Sequence, residues 1–106
     1  MVRIPSAVAS FLNRVKKQFS PQKVYVFGSR ATGKAKKDSD WDLIIVSAKF
    51  KGMTGYRRAV EVYKLSKGDF ALDVLCFTPR EFEDKKQEPS LVSKSLQEEA
   101  LVEIAV

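Results

Sequence analysis

The 106-residue sequence predicts an α/β domain, a small mixed sheet packed with helices. Three short runs rich in β-branched and aromatic residues alternate with stretches whose apolar residues recur at helical spacing. Glycine and proline fall at the junctions between these runs, where chain reversals need them.

The elements follow in order. Ile4, Val8, Phe11, Leu12, Val15 and Phe19 recur at helical spacing, with Pro5 and Ser6 at the start and Ser20-Pro21 at the end, so a packing helix is expected there. A strand from Lys23 to Phe27 stops at Gly28, and a short helix follows Ser29. Trp41 to Ser47 is the second strand, Lys49 to Gly55 a Lys/Gly loop, and about Tyr56 to Ser66 a helix that Gly68 ends. Phe70 to Phe77 is the third strand. Thr78-Pro79-Arg80-Glu81 then combines a capping residue, a first-turn proline and an acid three residues on. Pro89 separates that short helix from Ser90 to Glu99, where Leu91, Val92, Ser95 and Leu96 form an amphipathic stripe. Leu101 to Val106 is expected as a closing strand.

Composition narrows the function classes. The length fits one domain over residues 1–106, without separate template or substrate domains, so work with partners is expected. No run approaches the roughly 20 apolar residues that span a bilayer, so no membrane association is expected. With no histidine, the chain cannot build a Ser-His-Asp triad or a histidine metal site. Cys76 stands alone in an apolar strand, so no intrachain disulfide forms, and a cytoplasmic location is expected. The basic N-terminal stretch lacks a secretory apolar region and is expected to be part of the fold. Charge is uneven: residues 1–67 hold 15 Lys or Arg against 4 Asp or Glu, whereas residues 68–106 hold 4 against 9. The basic half can attract nucleotides or nucleic acid, and equally can be a solvated lysine-rich surface.

The segment from Val24 to Val46, VYVFGSRATGKAKKDSDWDLIIV, concentrates the chemistry. An apolar strand enters a Gly-Ser turn, ten residues follow, and an Asp40-Trp41-Asp42 triplet opens the next apolar strand. Gly28 lets backbone approach a ligand closely, and Ser29 offers a hydroxyl beside N–H groups that can face phosphate oxygens if a helix starts at Arg30 and Ala31. If the second strand extends back by one residue, Asp40 and Asp42 project from one face, roughly 7 Å apart. Oxygen-only ligands of this kind suit magnesium, which binds one or two carboxylates together with substrate phosphates. By spacing alone, the favoured reading is that Ser39 and Asp40 cap a turn before an edge strand, with Gly28 ending the earlier strand. Asp73, flanked by Leu72, Val74 and Leu75, is either a metal ligand or an edge residue facing water, since a buried charge needs compensation.

Taken together, Phe27, Gly28, Ser29, Asp40, Trp41, Asp42 and Leu43 resemble the signature of the nucleotidyltransferase superfamily that includes DNA polymerase β. The likeness is strongest to minimal nucleotidyltransferases, whose narrower pattern Arg30, Ala31, Gly33, Ser39 and Leu43 also fit, with Thr32 in place of a second arginine. The resemblance spans about residues 24 to 80 and implies a polymerase β-like nucleotidyltransferase fold.

It further implies a set of roles. Asp40, Asp42 and Asp73 would be the catalytic carboxylates and the ligands of two magnesium ions; Gly28, Ser29 and Arg30 would bind the nucleotide, expected to be ATP. Arg57 and Arg58 are added as phosphate contacts. Minimal nucleotidyltransferases resemble antitoxins paired with HEPN-domain proteins, and members transfer AMP to a tyrosine of that partner. Two other readings stay open: transfer to nucleic acid ends or to a small molecule such as an antibiotic, and a non-catalytic antitoxin that only binds. Nucleic acid and a second copy of the chain are further candidate partners.

Overall fold

The computed structural model describes residues 2–97 and 100–104. Helix α1 (Ser6–Phe19) buries Val8, Phe11, Leu12, Val15 and Phe19, the stripe its spacing predicts. It stops because Ser20 turns left-handed, with φ 42°, and donates its N–H to the Lys16 carbonyl. There follow β1 (Lys23–Phe27), α2 (Ser29–Thr32), β2 (Trp41–Val46), α3 (Gly55–Ser66), β3 (Leu72–Phe77), α4 (Pro79–Gln87), α5 (Leu91–Gln97) and β4 (Leu101–Ile104).

The four strands form one sheet in the order β3-β2-β1-β4. β1 is antiparallel to both β2 and β4, and β3 is parallel to β2, as a strand–helix–strand crossover through α3 requires. Alternation along the strands then divides the core. Val24, Val26, Trp41, Leu43, Ile45 and Val74 face α1 and α3, while Tyr25, Phe27, Ile44 and Val46 face α4 and α5 through Phe82 and Val92. At roughly 25 cal/mol per Å2 of apolar surface removed from water, these two layers are the main stabilising term.

The fold agrees with the α/β expectation, with adjustments at element ends. The stretch Lys49–Gly55 is not all loop, because Ala48–Phe50 forms a 3-10 turn. The Ser47 side chain caps it by accepting from the Lys49 N–H at 3.1 Å, and Phe50 drops fully into the core against Phe19. β3 begins at Leu72 rather than Phe70: the Phe70 ring packs edge-on against Phe11, with centroids 5.5 Å apart. Thr78 and Glu81 make the reciprocal cap that their spacing predicts. The expected ends of the last helix at residues 98–99 and of the last strand at residues 105–106 lie outside the described residues. Among the described residues, no helix is long and apolar enough to cross a membrane.

Candidate active site

Because β1 runs against β2 and β3, its C-terminal end meets their N-terminal ends at one edge of the sheet. Register makes this specific: Phe27 pairs with Asp42, and Asp42 pairs with Asp73. Gly28, Asp42 and Asp73 therefore belong to three adjacent strand ends. Asp42 and Asp73 share the parity of Ile44 and Leu75, so they sit on the α4/α5 face of the sheet, where Asp42 is half-buried and Asp73 is exposed.

Gly28 is the tightest point. Its backbone, at φ 72° and ψ −149°, occupies a region essentially restricted to glycine. A Cβ built there would collide with Asp42 Oδ2 and stand 3.3 Å from Asp42 Cγ. The turn beyond it is closed on itself. Ala31 and Thr32 donate their N–H groups to the Gly28 carbonyl at 3.1 and 3.3 Å, and the Gly33 and Lys34 N–H groups both return to the Ser29 carbonyl. Ser29 is thus held at the first position of α2, directly after the glycine that meets Asp42.

The charges set the chemistry. Burial pushes the Asp42 carboxyl above its ordinary value, and the negative charges of Asp73 and then Asp40 push it further. Three carboxylates whose charges meet at Asp42 favour a cation among them. Among the described residues, no group of three or more His, Cys, Asp or Glu side chains is gathered so as to hold a metal ion by itself. All-oxygen carboxylate donors are of the type that suits a hard divalent ion, and an ion bound here would need further ligands from substrate phosphates and water. Asp40 departs from expectation: β2 begins at Trp41, whose N–H bonds the Ala71 carbonyl at 2.9 Å, so Asp40 lies in the loop mouth rather than on the strand.

The arginines divide into different tasks. Arg30 directs its guanidinium to the Ser39 carbonyl at 2.7 Å and to the Lys37 carbonyl at 3.4 Å, and stacks over Trp41 with 4.6 Å to the ring centroid. It fastens the loop that delivers Asp40. Arg58 corrects its expected role as a phosphate contact. It is buried, donates to the carbonyls of Met53 and Cys76, and grips Glu81 with two bonds of 2.5 and 3.2 Å, which holds the Glu81 carboxyl below its ordinary value. Arg57 stays exposed, its N–H capped by Thr54.

One residue near the carboxylates carries no sequence signal. Tyr63, on α3, takes the Val74 N–H on its hydroxyl at 3.3 Å, and burial, together with the neighbouring Asp73 charge, pushes that phenol above its ordinary value.

Comparisons with known proteins follow the same lines. A family model described as a nucleotidyltransferase domain matches residues 8–106. A crystal structure of a candidate nucleotidyltransferase from Sulfolobus solfataricus is 26% identical, covers 79% of this chain and 84% of its own, and superposes with a TM-score of 0.57. BolA1 from Arabidopsis thaliana is 24% identical over 74% of this chain and 98% of its own, with a TM-score of 0.58. The BolA domain of SufE1 from the same plant is 22% identical over 74% of this chain and 99% of its own, with a TM-score of 0.60. At such identity the two plant structures share the fold alone, so the layout of strands and helices does not select the chemistry and the residues on it do. No curated protein matches the chain.

Proposed function

The chain belongs to the nucleotidyltransferase domain family, and from that membership we propose that it transfers AMP from ATP, with magnesium, to a tyrosine hydroxyl of a HEPN-domain partner and acts as that partner's antitoxin. The observation that carries the reading is the side-chain-free Gly28 pressed against Asp42, with Asp73 next to it across β2 and β3. In this reading Gly28 and Ser29 receive the β and γ phosphates, whose negative charge suits backbone N–H groups at a turn into a helix. Asp40 and Asp42 would hold magnesium for the triphosphate, and Asp73 would help to hold a second ion. Bound magnesium supplies charge neutralisation at the attacking and leaving oxygens. The acceptor oxygen forms a bond to the α phosphorus, the bond from that phosphorus to pyrophosphate breaks, and the hydroxyl proton passes to Asp73.

A protein acceptor is supported by Leu91 and Leu96 on α5, apolar side chains 49% and 43% exposed. Docking would supply the proximity and orientation that phosphoryl chemistry alone does not. The exposed Lys34, Lys36 and Lys37 beside the carboxylates favour a second reading, in which the hydroxyl belongs to a nucleic acid end. Intact-mass spectrometry of a HEPN partner incubated with the chain, ATP and magnesium separates them. The proposal expects the partner to gain one AMP, and Asp40→Asn with Asp42→Asn to abolish the gain. Labelled nucleic acid in place of labelled protein would move the acceptor to the second reading, and a tight complex without adduct would make the chain a binding-only antitoxin.

A further inference from the structure

Tyr63 and Arg58 are anchored five residues apart on α3, and both reach the outer edge of β3. Parallel pairing with β2 uses the carbonyls of Ala71 and Phe77, so the main-chain groups of the even-numbered residues between them point away from the sheet. Two of these outward groups are closed by α3: the Val74 N–H by the Tyr63 hydroxyl at 3.3 Å, and the Cys76 carbonyl by Arg58 at 3.2 Å. Helix rise of about 7.5 Å over five residues is close to strand rise of about 6.6 Å over two, so α3 runs antiparallel along β3 in step with it. Such side-chain closure protects an open strand edge.

The Tyr63 contact does more than protect. The Val74 N–H belongs to the peptide unit that joins Asp73 to Val74, so the bond fixes the main chain at the third carboxylate. The phenol oxygen accepts from that amide, so the contact acts on the main chain that carries Asp73. Asp73 itself is exposed, on the α4/α5 side of the sheet, with side-chain freedom to lose. We propose that Tyr63 is a positioning residue for Asp73, its hydroxyl fixing, through the Val74 amide, the peptide unit that presents the Asp73 carboxylate beside Asp42 to a divalent ion. The inference rests on the reading of Asp73 given above. Outer-shell partners of this kind orient a carboxylate before any ligand arrives, and their loss costs on the order of 10-fold to 100-fold in metal affinity or activity.

Tyr63→Phe removes the hydroxyl and keeps the ring. Mn2+ titrated into the protein with a non-hydrolysable ATP analogue, followed by electron paramagnetic resonance, is expected to show the weaker of the bound ions loosened on the order of 10-fold to 100-fold, with the tighter ion unchanged. Turnover should fall while KM for ATP holds. In an Asp73→Asn background, Tyr63→Phe should add nothing, because the group it positions is gone. Unchanged Mn2+ binding in Tyr63→Phe, or equal and additive losses in both backgrounds, would overturn the proposal. If Asp73→Asn alone leaves Mn2+ binding and turnover intact, the role of Asp73 fails instead, so the two failures are distinguishable. Should Tyr63→Phe fold poorly, the unmodified protein decides. Mn2+ with the analogue must broaden the ring signals of Tyr63 in a tyrosine-labelled spectrum, and a sharp Tyr63 signal would overturn the assignment.

Discussion

The main chain of Gly28 lies directly against the carboxylate of Asp42, with no room for a methyl group between them. Two elements far from each other in function, a strand-ending turn and a charged strand residue, are thereby locked into one surface. The positive φ of Gly28 and the closed turn after it make that surface independent of side-chain motion at position 28.

Gly28→Ala should therefore do two kinds of damage. Strain at a glycine-only backbone region costs about 1–3 kcal/mol, which a thermal or urea melt will register. Asp42 must also move, so the folded fraction is expected to lose magnesium-dependent ATP affinity. Retained affinity in a destabilised but folded variant would show that the contact is merely structural.

Asp42 also gives a pH dependence with a definite sign. Its folded-state value is raised, by burial first and by Asp73 and Asp40 next, so the folded protein binds the proton more tightly than the unfolded chain. The metal-free protein should gain stability as pH falls through the raised value toward the ordinary 3.8, and lose it again as pH rises through that window. Asp42→Asn should lack this component, and the difference between the two melting profiles isolates it. Magnesium with ATP should diminish the difference. Identical profiles for the two proteins would contradict the electrostatic account of the site.

Much of the site was legible because it is nearly contiguous. Phe27-Gly28-Ser29 and Asp40 to Leu43 sit at the end of one strand and the start of the next, so residue order alone predicts that they meet. The apolar flanks of Asp73 left it open between a ligand and an edge residue facing water, and only the pairing of β3 with β2 brings it next to Asp42. Arg58 was misread as a phosphate contact, although a signal existed: Arg58, Val62 and Ser66 recur every four residues and form the buried face of α3. Tyr63 could not be found this way, because its partner is a main-chain amide and its neighbour Asp73 is reached only after α3 docks along β3. The three-residue 3-10 turn at Ala48–Phe50 was equally silent, being too short to carry a period.

Arg58→Met tests the corrected role. It removes both bonds to Glu81 and the donors to Met53 and Cys76, and hydrogen bonds to charged groups contribute about 1.5–3 kcal/mol. Because Glu81 is held below its ordinary 4.5, the stability it contributes is present above that value and is lost as pH falls through the lowered folded value. The variant should melt earlier at neutral pH and lose that acid limb, while ATP affinity of the folded protein stays unchanged. A loss of ATP affinity without loss of stability would restore the phosphate-contact reading.

Arg30→Lys keeps the charge and removes the fork that spans the loop carbonyls and the Trp41 ring. Cleavage within residues 33–40 by limited proteolysis should accelerate severalfold, and Trp41 fluorescence should shift as its ring loses the guanidinium. Proteolysis at the unmodified rate, combined with weakened ATP binding, would instead make Arg30 a direct phosphate ligand.

A calorimetric titration of Mg-ATP into the unmodified chain and into Asp42→Asn tests the site most directly. The unmodified chain is expected to bind with a requirement for magnesium. Asp42→Asn, folded by circular dichroism, should bind more than about 10-fold more weakly, a loss above about 1.4 kcal/mol, with the magnesium requirement abolished. Equal, magnesium-dependent affinity in both proteins would remove Asp42 from the site and contradict the central claim.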